Sequence, residues 1–550
     1  ELIDQLREAG DRIIKQAKDE LKEYYPDDPD GSKPVAYIWA RTVRCESPDC
    51  GAEIPLLRSF WLCNKAKKKV ALKPIINRKV GESPSVEFEI FEPKRESEVH
   101  GPTVARAKAT CLCCGSVLPP DRVRSQLALQ NGGADVIFDH DGKRIGGARM
   151  LAVVLTREDT QGRVYRLATD TDYLPVLLAT QEVNRILEEW ESEGKKGLCP
   201  FPDELTPAGG GSGAGRAFSL HSYGMFRFND MFSNRQLMSL LELVSLFKDA
   251  TATTNLKKIL SLIISKLTDR SNSMVNWSLA VECPDHLFKG TSMPMGWDYC
   301  ESNLNSESSA SLFQSLRNME KNLEASVIYK SKPGNISISD ACQSPLTNDC
   351  CDVWFTDPPY YDAVPYASLS DFFLVWQKRV LGDLIVSDPF DASNNVSNKA
   401  REIIQDNSQK DGNGVKDSVF FERNMFISFK EGRRVLNDNG VASVVFAHKT
   451  TEGWEALLSG MISAGLVITA SWPIATERYS RIRAKNSAAL ATSIHLVCRP
   501  RPDSAGIGEW SNVLQELPQK VGKWIDRLEA EGVRGANLVF SCIGQALEIF

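Results

Sequence analysis

Two groups of side chains in this sequence have the types and spacing for chemistry. The first is Asp357-Pro358-Pro359-Tyr360, which closes the apolar run Val353-Trp354-Phe355-Thr356. β-Branched and aromatic residues in that run predict a buried strand. Two prolines, lacking an N–H and fixed in φ, end it at Asp357. The tip of a buried strand in an α/β sheet is where ligands bind. This tip offers a carboxylate, a proline carbonyl and an aromatic ring. Together they suit a planar group bearing an exocyclic amine. Asp357 and the Pro358 carbonyl accept its two N–H groups, and Tyr360 stacks on its face. Tyr361 and Tyr366 are further candidates to hold such a group, with core packing as their other reading.

The second group is a pair of knuckles, Cys45-Glu46-Ser47-Pro48-Asp49-Cys50-Gly51 and Cys111-Leu112-Cys113-Cys114-Gly115. Each sets two thiols on a tight turn closed by glycine, whose positive φ lets N–H groups turn toward the sulfurs. Cys45, Cys50, Cys111 and Cys114 supply four soft ligands, the donor set of a closed, structural Zn2+ site. Cys113 points away and is spare, and Cys63, alone in Trp61-Leu62-Cys63, is a core residue. With no histidine or carboxylate at ligand spacing, the pattern argues against a catalytic zinc.

Asp357-Pro358-Pro359-Tyr360 resembles the catalytic motif of S-adenosylmethionine-dependent amino-methyltransferases acting on adenine N6 or cytosine N4. The longer stretch 356–373, with the cysteine region upstream, is similar to prokaryotic adenine-specific DNA methylases that carry a zinc ribbon. The likeness runs over most of the chain. It implies methyl transfer from S-adenosyl-L-methionine to adenine N6 of DNA, on a base flipped from the duplex at a cost of a few kcal/mol. It implies that Asp357, Pro358, Pro359 and Tyr360 are the catalytic residues. It also implies that Asp340, closing the strand-like run Ile336-Ser337-Ile338-Ser339-Asp340, contacts the cofactor's adenine. Other subunits of a restriction-modification or phage-defence system are the implied partners. RNA guanine-N2 methyltransferases share the four-residue motif and are the second enzyme reading. The third reading is a catalytically degenerate module that keeps ribbon and sheet for nucleic-acid binding or as a scaffold. That reading gains from a gap: no strand leads into a Phe-x-Gly-x-Gly type loop. In the resembling family the loop lies toward the N-terminus, ahead of the ribbon. The chain begins at Glu1 inside a helical pattern and ends in the apolar run 543–550, so it reads as a fragment of a longer frame.

The elements that must carry these residues follow from the rest of the chain. At 550 residues it exceeds one domain. Hydrophobic content of 42% and charged content of 25% are ordinary for a globular protein. A net charge of −6 excludes a generally basic nucleic-acid coat, leaving local patches to make any such contact. There is no signal peptide and no apolar run long enough to cross a membrane, so the expected location is cytoplasmic. There, 14 cysteines point to metal ligation and free thiols rather than disulfides.

The expected organisation is an N-terminal helix and connecting strand over 1–40, and a zinc-ribbon and β-hairpin insertion over 41–205 with its hairpin turning at Gln161-Gly162. A helical block spans 206–330, with helices near 233–248 and 255–267. The second half of a methyltransferase core spans 331–500, and a C-terminal helical segment 501–550. The expected fold class is α/β: a partial Rossmann-like S-adenosylmethionine-dependent methyltransferase sheet with the ribbon region and helical block inserted. Its strands would lie at 353–356, 441–447, 466–470 and 493–498, with helices at 420–436 and 453–464 between them.

Other stretches invite plainer readings. The run 209–215 is glycine-rich, but Pro200, Pro202 and Pro207 precede it in place of a strand, so it reads as a flexible linker. Lys65, Lys67, Lys68 and Lys69, followed by Lys73, Arg78 and Lys79, read as a solvated hairpin face, a phosphate-contacting finger being the other reading. The polar stretch 388–418 reads as a mobile loop able to close over substrate. Arg478, Arg481, Arg483 and Lys485, with no acid among them, are local phosphate-binding candidates, a solvated loop being the other reading.

Overall fold

The computed structural model describes residues 1–158, 160–210, 214–250, 253–328, 332, 334–412, 414–448, 450–474, 493–502, 504–506, 508–531, 533, 538 and 541–542. They form a mixed α/β chain with several small antiparallel sheets and a four-cysteine cluster. The chain divides into two compact units. One comprises 1–210, 217–332 and 367–398; the other comprises 211–216, 333–366 and 399–550.

The first unit is built on an antiparallel sheet of β1 (Lys33–Ala40), β2 (Arg149–Arg157), β3 (Thr160–Leu167) and β4 (Asp298–Ser302), in the order β3-β2-β1-β4. β1 is flanked by β2 and β4, and every residue from Pro34 to Ala40 is buried. An unbroken apolar run suits a strand covered on both faces. The hairpin β2–β3 is present but turns earlier than its glycine suggests: Arg157 faces Thr160, and Gly162, at φ +101°, lies within β3 beside a register shift. The glycine therefore accommodates an irregularity in the ladder, not the turn.

Helices α1 (Leu2–Glu20), α2 (Asn234–Asp249), α3 (Thr254–Arg270) and α4 (Leu312–Ile328) belong to the same unit, with α1 packed on the other three. Leu6, Ala9, Ile13 and Ala17 recur at helical spacing and form the buried stripe of α1. α2 starts at a capping box, in which Ser233 Oγ accepts from the Gln236 N–H and Gln236 Oε1 accepts from the Ser233 N–H. Within this first turn, buried Arg235 donates to Glu301 at 2.7 Å, Tyr25 donates to the same carboxylate at 3.0 Å, and the guanidinium lies 4.1 Å from the Tyr37 ring centroid. The charges are buried because each has its partners.

The second unit holds β5 (Cys351–Thr356), α5 (Ser418–Val435), β6 (Leu436–Phe446), α6 (Thr451–Ser463), β7 (Leu466–Ile474), β8 (Ser493–Pro500) and α7 (Trp510–Ala530). The sheet order is β5-β6-β8-β7. β5 runs parallel to β6, and β8 runs antiparallel to both β6 and β7. Three strands therefore point one way, joined by helical crossovers, with one opposed strand among them. No complete doubly wound sheet is present among the described residues.

The core of this sheet gathers Phe421, Met425 and Phe429 of α5, Leu457 and Met461 of α6, and Val444, Phe446, Ile468 and Leu496 of the strands. Trp354 meets Phe429 edge to face at 6.1 Å, and a side chain at Gly432 would collide with its indole.

Several expectations change here. β5 is not a buried strand. Among the described residues it is an edge strand paired only with β6, and Val353 and Phe355 are 66% and 61% exposed while Trp354 faces the core. Its composition fits a covered surface but does not itself supply the cover. The run 336–340 is not a strand either: Ile336 and Ile338 are 98% and 78% exposed, and Asp340 makes only an isolated bridge to Gln343. Alternation needs a neighbouring ladder to become a strand, and this run has none among the described residues.

The glycine-rich run is more than a linker on its described residues, since Ala214–Ala217 forms a short helical turn with Ala214 and Gly215 buried. The stretch 388–418 carries its own structure. Asp388 accepts from the N–H groups of Phe390 and Asp391 and from the amides of Asn394 and Asn398. Further on, Asp406–Lys410 pairs with Val415–Lys416. No helix among the described residues is long and apolar enough to cross a membrane.

Candidate functional site

The cysteine centre sits on two short hairpins. Thr42–Arg44 pairs with Glu53–Pro55, and Cys45 and Cys50 lie in the connection. Lys108–Thr110 pairs with Val117–Leu118, and Cys111 and Cys114 lie in that one. Gly51 and Gly115, at φ +61° and +76°, close the two turns in the left-handed region. The Cys45 N–H bonds the Ala52 carbonyl, and the Cys111 N–H bonds the Ser116 carbonyl.

These turns bring the four sulfurs within 4.8 Å of one another. Cys45 Sγ lies 3.6 Å from Cys114 Sγ, and Cys50 Sγ lies 3.7 Å from Cys111 Sγ. A tetrahedral zinc with bonds of about 2.3 Å sets its sulfurs about 3.8 Å apart, whereas a disulfide needs about 2.05 Å. The donor set fits a four-thiolate zinc ion. Burial pushes the Cys45 thiol up to about 12, while the Ser116 hydroxyl and N–H bring Cys114 down to about 6. The hairpins are tied together by Arg122, which forks onto Glu46 of the first knuckle at 2.8–3.0 Å. Cys113 is buried outside the cluster, and Cys63 is a fully buried core residue.

Two lysines of the run are engaged within their own unit, while Lys67 is exposed. Lys65 and Lys68 grip Glu282 at 2.5 and 2.7 Å, and Tyr165 donates to it at 2.8 Å. Burial raises Glu282, yet these bonds bring it down to about 2.

Asp357 lies at the tip of β5. Because β5 and β6 are parallel, with Thr356 opposite Val444, their C-terminal ends emerge together. Tyr360 meets Phe446 at the end of β6 edge to face, 5.4 Å between centroids. Burial, and the Asp357 carboxylate that its hydroxyl meets, hold the Tyr360 phenol above its ordinary range. Tyr366 is raised by burial and by the nearby charges of Asp357 and Glu402. Asp357 and Tyr360 are thus brought together, with Asp357 and Tyr366 exposed and Pro358 buried.

Tyr361 leaves the motif at φ +55°. Its ring packs against Phe421 at 5.0 Å and His448 at 5.4 Å, and its carbonyl accepts from the Gln405 N–H at 3.0 Å. Asp362 accepts from His448 Nε2 at 3.2 Å and from Arg216 at 2.8 Å. The histidine and arginine bonds hold its carboxyl down to about 2.

The structure does not join Asp340 to these residues. Its carboxylate is bound to Arg401 at 2.6 Å and caps the Cys342 N–H at 2.8 Å. Arg478, Arg481, Arg483 and Lys485 lie outside the described residues.

Asp362, His448, Arg216 and Gln405 escaped the sequence reading. His448 had one signal: it is among only six histidines and stands two residues beyond an apolar strand. Arg216 and Gln405 are remote in sequence and gave none. No family model matches this chain, and no curated protein matches it significantly.

Proposed function

We propose that the protein is an amino-methyltransferase that modifies an exocyclic amine of a nucleic-acid base, adenine N6 of DNA being the target that the sequence resemblance favours. The observation that carries this reading is the joint exit of β5 and β6, with Asp357 and Tyr360 at the tip and Phe446, Tyr361 and His448 around them. The sheet supports it further. Strands linked by helices, pointing one way with one opposed strand near the far edge, suit the second half of a methyltransferase sheet.

On the acceptor side, a flipped base stacks on Tyr360 while Asp357 and the Pro358 carbonyl accept its two amino hydrogens. Those bonds draw the nitrogen toward tetrahedral geometry and free its lone pair. One amino proton is surrendered toward Asp357 as the nitrogen is methylated. The rate gain comes from position and electrostatics. The methyl donor implied by the resemblance is S-adenosyl-L-methionine. The described residues do not form a nucleotide pocket for it: no glycine loop follows a strand, and Asp340 is engaged by Arg401. The roles assigned to this chain are therefore confined to the acceptor.

The zinc centre, closed by four thiolates, has a structural role. The occupied Asp340 favours a second reading, a nucleic-acid-binding module that has lost catalysis. DNA is the proposed partner in both.

The test is methyl transfer from labelled S-adenosyl-L-methionine by the full-length protein onto unmethylated DNA and onto tRNA, with products identified as nucleosides. N6-methyladenine in DNA supports the main reading. N2-methylguanine in RNA moves the assignment to an RNA methyltransferase. No product on either, with DNA bound and zinc retained, supports the binding module.

A further inference from the structure

His448 follows β6 by two residues, and its side chain is only 4% exposed. Its Nδ1 faces Thr450, 3.3 Å from the backbone N–H and 3.1 Å from the hydroxyl. A backbone N–H can only donate, so Nδ1 is an acceptor and carries no proton. The proton is on Nε2, which donates it to Asp362 Oδ1 at 3.2 Å. The other oxygen of Asp362 accepts from Arg216 at 2.8 Å. Both carboxylate oxygens are thus committed, and Asp362 is not a second acceptor for the amine.

This chain of bonds surrounds a strained point. Tyr361, between Tyr360 and Asp362, has a φ of +55°. A left-handed conformation costs an L residue about 1–2 kcal/mol and persists where the surroundings enforce it. Here they do so from three sides. Phe421 and His448 pack on the Tyr361 ring. The Gln405 N–H bonds its carbonyl. Gln405 in turn accepts from the Ala214 N–H at 3.1 Å, two residues before Arg216, so the hydrogen bonds close a ring through Tyr361, Asp362, Arg216, Ala214 and Gln405. Gly453, in the first turn of α6, packs so closely that an added Cβ would lie 2.3 Å from His448 Nδ1.

We infer that Arg216, Asp362 and His448 form a latch that holds the turn at Tyr361, fixing Tyr360 and Asp357 in the orientation that receives the flipped base. This rests on the amino-methyltransferase reading. All three are positioning residues: they act through the loop and touch no reacting atom.

The tautomer makes the latch testable. In His448→Gln the amide nitrogen reaches the place of Nε2 and can donate to Asp362. In His448→Asn it reaches only the place of Nδ1. In the full-length protein, His448→Asn and Asp362→Asn are expected to lower kcat for DNA methylation about 10–100-fold, the scale of a displaced catalytic group. KM for the methyl donor and zinc content should not change, and His448→Gln should recover much of the rate. DNA with 2-aminopurine at the target should show a smaller fluorescence rise in the Asn variants. Equal rates in His448→Gln and His448→Asn overturn the latch.

Hydrogen–deuterium exchange over 357–366 provides a readout free of activity. Faster exchange confined to this segment in His448→Asn, restored in His448→Gln, supports the latch; unchanged exchange overturns it. A wild-type protein that transfers no methyl group sinks the methyltransferase reading alone, because exchange still decides whether the latch holds the loop.

Discussion

At the cysteine centre, all four donors come from two short hairpins of one unit, three of them buried, and Arg122 fastens one knuckle's helix to the other's loop. At the Asp357 tip, an exposed carboxylate ends a strand that is an edge strand among the described residues, with Val353 and Phe355 largely exposed, and the residues proposed to steady it come from 216, 405 and 448, far apart in the sequence. The first site is complete within itself and has no open position for a substrate. The second is open on the side where an acceptor must arrive. The four-thiol cluster suits a structural ion, and the proposed chemistry is assigned to the second.

The sharpest way to break that contrast is to remove the metal. Cys111→Ser, or a strong chelator, should take zinc from one per chain to none by elemental analysis and unfold both knuckles. Structural zinc contributes on the order of 10 kcal/mol in small zinc domains, so this effect should be the largest. A knuckle with unchanged circular dichroism after zinc loss would contradict a structural role.

Next comes the buried core of the same unit. Arg235→Gln leaves Glu301 buried without its cation and should cost about 3–5 kcal/mol in denaturant unfolding. The Arg401–Asp340 pair is the opposite case, because its arginine is half exposed. Arg401→Gln should change stability by less than about 1 kcal/mol.

Between these extremes, Gly453→Ala drives a methyl group toward His448 and should cost about 1–3 kcal/mol of stability while loosening the Tyr361 turn. A variant as stable and as protected as wild type would show that His448 is not held by this contact.

A further small effect is a pH dependence. The Asp362 carboxyl is depressed in the folded protein to about 2, first by His448 and then by Arg216. Its contribution is therefore complete above about pH 4 and is lost as pH falls through about 2. For a half-buried group it should amount to about 1 kcal/mol. Unfolding of wild type and Asp362→Asn should differ by that amount at pH 6 and converge near pH 2.

What could be read ahead of the structure divides along the same line. The four ligands were legible because thiols on glycine-closed turns specify their own geometry over a few residues. The strands of the second unit were legible because apolar runs alternate with helical stripes, as in Val441 to Phe446 and the α6 face bearing Trp454, Leu457 and Met461. Burial of β5 was misread because Val353 and Phe355 report which surface they suit, not whether anything covers it. Ile336 and Ile338 failed for a related reason: period-two alternation becomes a strand only with a partner. The Asp362 latch was illegible because Arg216 and His448 meet it across 146 and 86 residues of chain, and such pairings leave no local pattern.

The most direct test of the central claim is single-turnover methyl transfer to DNA by the full-length protein, comparing wild type with Asp357→Ala and Tyr360→Ala. The expected result is N6-methyladenine from wild type and a loss of about a hundredfold or more in Asp357→Ala, as for a removed transition-state contact. Zinc content should not change. Transfer by Asp357→Ala at the wild-type rate would contradict the assignment of the β5 tip as the acceptor site.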